Sequence, residues 1–153
     1  MSQSNKKQST QNDQKLNRPS WDETYFAIAD IIAKRSKDPK TKVGAVLVKE
    51  KLVIGLGYNA EPRNSVLVFN WHTEEKYKYV IHAEINAVAN ASRLGINCVG
   101  ADIYITHSPC TNCINTLIQH GIKRIFYRKP YVDFEISKKI ALAAGIELIQ
   151  IDY

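Results

Sequence analysis

The stretch IYITHSPCTNCINTLIQHGIKRIFY, residues 103–127, carries the signals of a strand, a helix and a second strand in succession. β-Branched and aromatic residues predict strands over Ile103–Thr106 and Ile122–Tyr127. Between them, the spacing of apolar residues predicts a helix over Thr111–His120, which Gly121 ends. Because a helix is the usual connection between parallel neighbouring strands, this stretch predicts a parallel sheet.

The elements before and after this stretch extend the same sheet. Ser20 is a good N-cap and Glu23 stands at the capping-box position, so they predict a first helix that ends near Arg35. The spacing elsewhere predicts strands Val43–Val48 and Leu52–Tyr58, helix His82–Leu94, helix Asp133–Ala144 and strand Ile146–Ile151. The short connection Glu50-Lys51 favours an antiparallel hairpin, and residues 60–80 are predicted to be irregular.

The predicted order of elements is α-β-β-α-β-α-β-α-β. A hairpin followed by strands that alternate with helices gives a five-stranded mixed sheet. Helices on both faces of that sheet complete an α/β fold of three layers, α/β/α. The 153 residues, 44% of them hydrophobic, suit one domain with an adequate core.

The first 19 residues differ in composition from the rest of the chain. They contain no Val, Ile, Phe, Trp or Tyr, which predicts a disordered arm over 1–19 and a folded domain over 20–153. The arm lacks the apolar core of a signal peptide, and no apolar run approaches the roughly 20 residues that span a bilayer. We therefore expect a cytoplasmic protein that does not bind membranes.

The charge limits which ligands the protein is expected to bind, and the cysteines indicate whether disulfides stabilise it. The formal net charge is +6, and half of it lies in the arm, where four basic residues stand against Asp13. The remaining charge is enough to favour a phosphorylated substrate but weak for a nucleic-acid surface. Three cysteines, two of them in a C-x-x-C pair, argue against a disulfide framework.

Two short motifs carry the chemistry. His82-Ala83-Glu84 opens one predicted helix, and Pro109-Cys110-Thr111-Asn112-Cys113 opens another. One imidazole and two thiolates are zinc ligands, and they leave the fourth tetrahedral position open for water. The C-x-x-C pair alone could be a redox pair, and Glu84 alone could be an acid that stabilises a helix start. Together they form the H-x-E and P-C-x-x-C signature of zinc-dependent base deaminases.

The chain is similar to the cytidine and deoxycytidylate deaminase family over about residues 21–150, and most similar to its deoxycytidylate branch. The motifs that carry the resemblance are Arg35-Ser36-Lys37-Asp38-Pro39, Val43-Gly44-Ala45, Gly57-Tyr58-Asn59, His82–Ala87 and Ile105–Cys110. The resemblance implies one catalytic Zn²⁺ per chain, bound by His82, Cys110 and Cys113. It also implies that Glu84 moves protons between water and the pyrimidine ring, converting dCMP to dUMP and ammonia.

The resemblance also implies the substrate contacts and the assembly. Asn59 would hold the sugar hydroxyl, and Tyr131 would lie near the base. The candidate phosphate contact is Arg35, from the basic loop Lys34, Arg35, Lys37 and Lys40, which lies near Asn59 if the family fold holds. The alternatives are an ordinary turn residue for Asn59, a cation at the helix end for Arg35 and a surface loop residue for Tyr131. Ala83 and Ser108 are further candidate contacts. Family members suggest a homo-oligomer, either a dimer or a hexamer.

Two alternatives stay open at this point. The substrate could be another cytosine compound, such as dCTP, a nucleoside or cytosine in nucleic acid. The protein could instead be a zinc-stabilised binding protein without turnover, although such a site has no need for Glu84 beside an open zinc position. One departure from the family is the loss of two loop glycines, at Ala60 and Asn64, which puts any left-handed backbone geometry there in doubt.

Overall fold

The computed structural model describes residues 16–152. The sheet contains β1 (Gly44–Lys49), β2 (Leu52–Tyr58), β3 (Asp102–His107), β4 (Arg124–Lys129) and β5 (Glu147–Gln150). The α-helices of the described residues are α1 (Trp21–Ala33), α2 (Ala83–Arg93), α3 (Thr111–Gln119) and α4 (Phe134–Ala143), and a short 3-10 helix spans Glu74–Lys78. Most of the predicted arm, residues 1–15, lies outside the described residues.

The five strands form one mixed sheet in the order β2-β1-β3-β4-β5. β1 is antiparallel to both β2 and β3, whereas β3, β4 and β5 are parallel. The predicted hairpin, the predicted parallel region and the five-stranded mixed sheet are confirmed. Alternate residues of β1 then face opposite sides of the sheet.

The two faces of the sheet carry two separate cores. Val46 and Val48 face α1, where they pack with Phe26 in a mostly aromatic core. Ala45 and Leu47 face the other way, into a larger aliphatic core that is completed by α2, α3 and α4. One helix therefore covers one face and three helices cover the other, which confirms the predicted three-layer architecture.

The bounds of some elements differ from those predicted. α1 ends at Ala33 rather than near Arg35. β4 begins at Arg124 because the N–H of Ile122 donates to the carbonyl of Leu117 and closes the end of α3. Ile122 is buried, so its apolar character was predictive of the core rather than of the strand.

The segment predicted to be irregular, 60–80, contains the 3-10 helix, whose Thr73 hydroxyl accepts a bond from the N–H of Glu75. Asn64 adopts φ 61° in this segment, so the left-handed geometry persists without glycine. Asn is among the residues that tolerate this region best. Among the described residues, no helix has the length and apolar character needed to cross a membrane.

Candidate active site

The three predicted metal ligands lie together. His82 is the N-cap residue of α2, Cys110 is the N-cap residue of α3, and Cys113 lies in the first turn of α3. The Nδ1 atom of His82 is 3.5 Å from Sγ of Cys110 and 3.3 Å from Sγ of Cys113. Within residues 16–152, they are the one group of this kind that could hold a metal ion, with ligand atoms within 4.8 Å of one another.

The arrangement fits zinc in both chemistry and dimensions. Tetrahedral bonds of about 2.3 Å to sulfur and about 2.0 Å to nitrogen place these two atoms about 3.5 Å apart. The two observed nitrogen–sulfur distances, 3.5 and 3.3 Å, are close to that value. Hydrogen bonds from Cys113 and His82 lower the pKa of the Cys110 thiol to about 4, whereas the bond to Cys110 raises the pKa of Cys113, so one of the two thiol ligands is already a thiolate before a metal binds.

Glu84 lies in the first turn of α2, next to this cluster. Its side chain is buried, with the residue only 4% exposed, and it lines the cavity described below. Burial raises the pKa of its carboxyl from 4.5 to about 7, because the charged form loses its hydration. A carboxyl group with such a pKa can both accept and return a proton near neutral pH.

The position of Glu84 depends on how closely α2 approaches β2. A Cβ atom at Gly57 would lie 2.2 Å from the carbonyl oxygen of Ala83, so only glycine permits this contact. The side-chain amides of Asn86 and Asn90 donate to the carbonyls of Tyr58 and Leu56. Because β2 is an edge strand, these bonds satisfy carbonyls on its otherwise unpaired side.

A cavity opens over the cluster and brings most of the predicted site residues together. Its predicted members are Asn59, His82, Ala83, Glu84, Ser108, Cys110 and Tyr131. Cys113 is buried behind them. Sequence reasoning placed Lys40 only in a basic loop near Asn59, and it missed the other lining residues: Asp38, Thr41, Val43, Lys76, Tyr77, Val80 and His107.

Arg35, the predicted phosphate contact, is not one of the lining residues, and its side chain is exposed. It lies just after the end of α1, before the part of the loop that reaches the cavity. The basic residue of that loop which does line the cavity is Lys40. The structure therefore does not bring Arg35 together with the other predicted residues.

Asn59 is already engaged with the protein backbone. Its Oδ1 accepts from the N–H of Val43 at 2.9 Å, and its Nδ2 donates to the carbonyl of Thr41 at 2.9 Å. These bonds fix the chain where it enters β1. An amide group can make further bonds, so one N–H and one lone pair of Asn59 are left for a ligand in the cavity.

Ser108 and Tyr131, which also line the cavity, are joined by a hydrogen bond. The Ser108 hydroxyl accepts from the N–H of Tyr131 at 2.8 Å, which ties the loop after β4 to the end of β3. The ring of His107 packs edge-on against the ring of Tyr131, with centroids 6.1 Å apart. The predicted aromatic residue thus lies at the cavity, and His107 buttresses it.

A buried ion pair joins two walls of the cavity. Nζ of Lys76, from the 3-10 helix, is 2.7 Å from Oδ2 of Asp38, from the loop before β1. Each side chain is only 6% exposed. The Asp38-Pro39 pair was a recognisable turn signal. No sequence pattern predicted that Lys76, 38 residues further along the chain, would be buried.

Comparison with known proteins identifies the family. Residues 19–129 match the cytidine and deoxycytidylate deaminase zinc-binding region. The chain belongs to the cytidine and deoxycytidylate deaminase family. The matched region, which the family description calls zinc-binding, contains His82, Cys110 and Cys113 together with Glu84. This confirms the predicted family and the predicted zinc.

Individual proteins are similar to this one over most of the chain. The probable deoxycytidylate deaminase of Drosophila melanogaster is 38% identical over 144 residues, covering 83% of this chain and 70% of that protein. The ComE operon protein 2 of Bacillus subtilis (strain 168) is 33% identical, covering 90% and 74%. The structure of dCMP deaminase from cyanophage S-TIM5 in complex with dCMP and dUMP has a TM-score of 0.78, with 26% identity, and covers 88% and 98%. The predicted hydrolytic deaminase is therefore confirmed.

Proposed function

We propose that this protein converts dCMP and water to dUMP and ammonia. The observation that carries the proposal is the buried carboxyl of Glu84 beside the three-ligand cluster, on the wall of a cavity that also contains two lysines. The dCMP deaminase of cyanophage S-TIM5, which has a similar fold, was solved in complex with dCMP and dUMP. A purely structural zinc site would need neither an open cavity nor a buried acid.

In this proposal, His82, Cys110 and Cys113 hold the zinc ion. When bound, zinc supplies a Lewis acid that makes water nucleophilic near neutral pH. Glu84 takes a proton from water and delivers it to N3 of the pyrimidine, while hydroxide bonds to C4. Glu84 then takes the proton of the new C4 hydroxyl and gives it to the amino group, so that the C4–N bond breaks, ammonia leaves and the oxygen stays on C4 as a carbonyl. One carboxyl group thus acts first as base and then as acid.

The remaining cavity residues hold the base and the sugar. The N–H of Ala83 is among the first of α2, and such groups have no partner within their own helix, so it can donate to the base. The Ser108 hydroxyl retains its own hydrogen as a donor, and the Tyr131 ring offers an apolar face. The N–H and the lone pair of the Asn59 amide that are not used within the protein can bind a sugar hydroxyl. Arg35 remains a proposed phosphate contact from the sequence alone.

A substrate panel tests the proposal. Purified protein containing one zinc per chain is incubated with dCMP, CMP, dCTP, deoxycytidine and cytosine-containing single-stranded DNA, and ammonia release is measured. We expect dCMP to have the highest kcat/KM. Preferred turnover of another compound would replace dCMP, and no turnover of any compound by zinc-loaded protein would favour the binding protein without catalysis.

We also propose a cytoplasmic homo-oligomer that does not act on nucleic acid. Val66 and Val68 are 93% and 96% exposed, and apolar side chains so exposed are commonly covered by another protein surface. The three cysteines of the chain are free, which suits the reducing conditions of the cytoplasm, where disulfides are rare. Light scattering coupled to size exclusion would measure the assembly, and a monomer at micromolar concentration would contradict it.

A further inference from the structure

The buried pair of Lys76 and Asp38 has hydrogen-bonding capacity left on one side only. Oδ1 of Asp38 accepts from the N–H groups of Lys40 and Thr41, at 2.8 and 3.1 Å, and Oδ2 accepts from Lys76. The carboxylate is therefore well supplied with donors. Lys76 has three ammonium donors, and its one hydrogen bond within residues 16–152 is the one to Asp38.

A buried ammonium with two unused donors is unusual. Burying a charge is costly, and buried polar groups normally have partners for their hydrogen-bonding groups. The other contact of the ammonium is with the ring of Tyr77, 5.3 Å from the centroid, and a ring face does not replace two hydrogen bonds. Because Lys76 lines the cavity, a ligand there can supply the missing acceptors.

The charges at this end of the cavity favour an anion. Lys76 and Lys40 bring two positive charges, and Asp38 brings one negative charge that is already surrounded by donors. A nucleoside presents no charge here, whereas a nucleoside monophosphate presents nearly two negative charges and three acceptor oxygens near pH 7.

We infer that Lys76, held in place by Asp38, binds the phosphate of the nucleotide and makes the site select nucleotides over nucleosides. The inference rests on the proposed function, since it assigns the anionic end of that substrate. Asp38 acts as a positioning residue: it fixes the ammonium before the ligand arrives, so less freedom is lost on binding. Lys40, an exposed residue of the cavity lining, adds positive electrostatic potential at this end of the cavity.

The experiment measures binding of the product nucleotide rather than turnover. Isothermal titration calorimetry compares dUMP with deoxyuridine on the zinc-loaded wild type, on Lys76→Met and on the double variant Asp38→Asn/Lys76→Met. The double variant guards against misfolding, because it removes the carboxylate that Lys76→Met alone would leave buried without its partner.

A matched control comes from a second ion pair between the same two segments. Nζ of Lys37 is 3.0 Å from Oε1 of Glu61, but this lysine is exposed and neither residue lines the cavity. Lys37→Met therefore removes a lysine and an ion pair from the same loop without touching the ligand.

We expect wild type to bind dUMP more tightly than deoxyuridine. Both Lys76 variants should lose about 10- to 100-fold in affinity for dUMP, the size of a charged hydrogen bond, and little for deoxyuridine. Lys37→Met should resemble wild type. Equal losses for both ligands in the double variant would overturn the inference and make the pair a structural clamp. Unchanged binding of dUMP would also overturn the inference, and Arg35 or Lys40 would then be the candidate phosphate contact.

Failure of this inference is distinguishable from failure of the proposed function. The turnover of dCMP by wild type tests the function alone. If wild type did not turn over dCMP yet lost its preference for dUMP through Lys76→Met, the reaction would be wrong and the anion site right. If wild type turned over dCMP but bound dUMP no better than deoxyuridine, the anion site would be wrong and the reaction right.

Discussion

Gly57→Ala should separate the two halves of the zinc site. The new Cβ would lie 2.2 Å from the carbonyl oxygen of Ala83, 2.4 Å from the N of Ala87 and 2.9 Å from its Cα. Ordinary contacts of a Cβ atom begin at 3.4 Å, so the start of α2 must move by about 1 Å. All three obstacles are backbone atoms, and no side-chain rotation relieves them.

The displacement has two costs of known size. Overpacking a core position destabilises a protein by about 1–3 kcal/mol. Displacing a reacting group by about 1 Å can lower the rate by about 10²-fold. Since His82 and Glu84 move with α2 while Cys110 and Cys113 stay with α3, both zinc affinity and kcat should fall.

Zinc affinity is measured by competition with a chromophoric chelator, kcat by ammonia release from dCMP, and folding by circular dichroism. Gly95→Ala is the control, because Gly95 follows the far end of α2 and its Cβ would meet no atom within 4 Å. Its φ of +71° makes that variant cost about 1 kcal/mol of stability, with zinc affinity and kcat unchanged. Wild-type zinc affinity and kcat in a folded Gly57→Ala variant would refute the reasoning.

Three further outcomes follow from the site. Glu84→Gln should keep one zinc per chain by elemental analysis but lower kcat by at least about 10²-fold, and near-normal turnover would make Glu84 a structural acid. Removing zinc with a chelator should abolish turnover and lower Tm, and added Zn²⁺ should restore both; activity that survives in zinc-free protein would exclude a catalytic zinc. Burial alone would raise the pKa of Asp38, but hydrogen bonds from Lys76 and two backbone N–H groups hold it below its ordinary value. Asp38→Asn should therefore lower the free energy of unfolding by about 3–5 kcal/mol at pH values above about 3.9, the pKa of Asp38 in the unfolded chain. The difference in unfolding free energy from wild type, measured by denaturant titration, should close as the pH falls through the pKa of Asp38 in the folded protein. Glu61→Gln, which breaks the exposed pair with Lys37, should cost about 0–1 kcal/mol at any pH, and a gap for Asp38→Asn that widened in acid would contradict the assignment.

The elements whose signals are local could be predicted from the sequence. The capping box of Ser20 and Glu23 forms as predicted, with both of its hydrogen bonds present. β2 has the predicted bounds, Leu52–Tyr58, because its pattern and the short connection before it are unambiguous. The start of β4 was misplaced because a buried Ile122 in a loop has the same apolar signature as one in a strand.

The site divides in the same way. His82, Glu84, Cys110 and Cys113 stand in short motifs, and each motif lies at one helix start, so their spacing was enough. Lys76 could not be predicted, because a lysine in a charged run is normally solvated, and its burial depends on Asp38, 38 residues away. Arg35 is the opposite case: its charge was visible in the sequence, but the course of its chain segment, which leaves Arg35 outside the cavity lining, was not.

The topology explains why all these residues meet at one edge of the sheet. β1 is antiparallel to both of its neighbours, so β2 and β3 run in the same direction and their carboxyl ends lie at the same edge of the sheet. α2 starts beside the end of β2 at Gly57, and α3 starts directly after β3, which brings His82 to Cys110. The start of β1 lies between the ends of these two strands, since Gly44 pairs with Tyr58 and Ala45 pairs with Ile105.

The loop that enters β1 must therefore pass over the metal cluster, and it carries Asp38 and Lys40 with it. β4 is parallel to β3, so its end delivers Tyr131 to the same edge. A ligand bound here contacts loops from four strands, in the place where open α/β sheets bind ligands. One reversed strand thus brings the metal-binding cluster, Glu84 and the proposed anion site together from segments that are far apart in the chain.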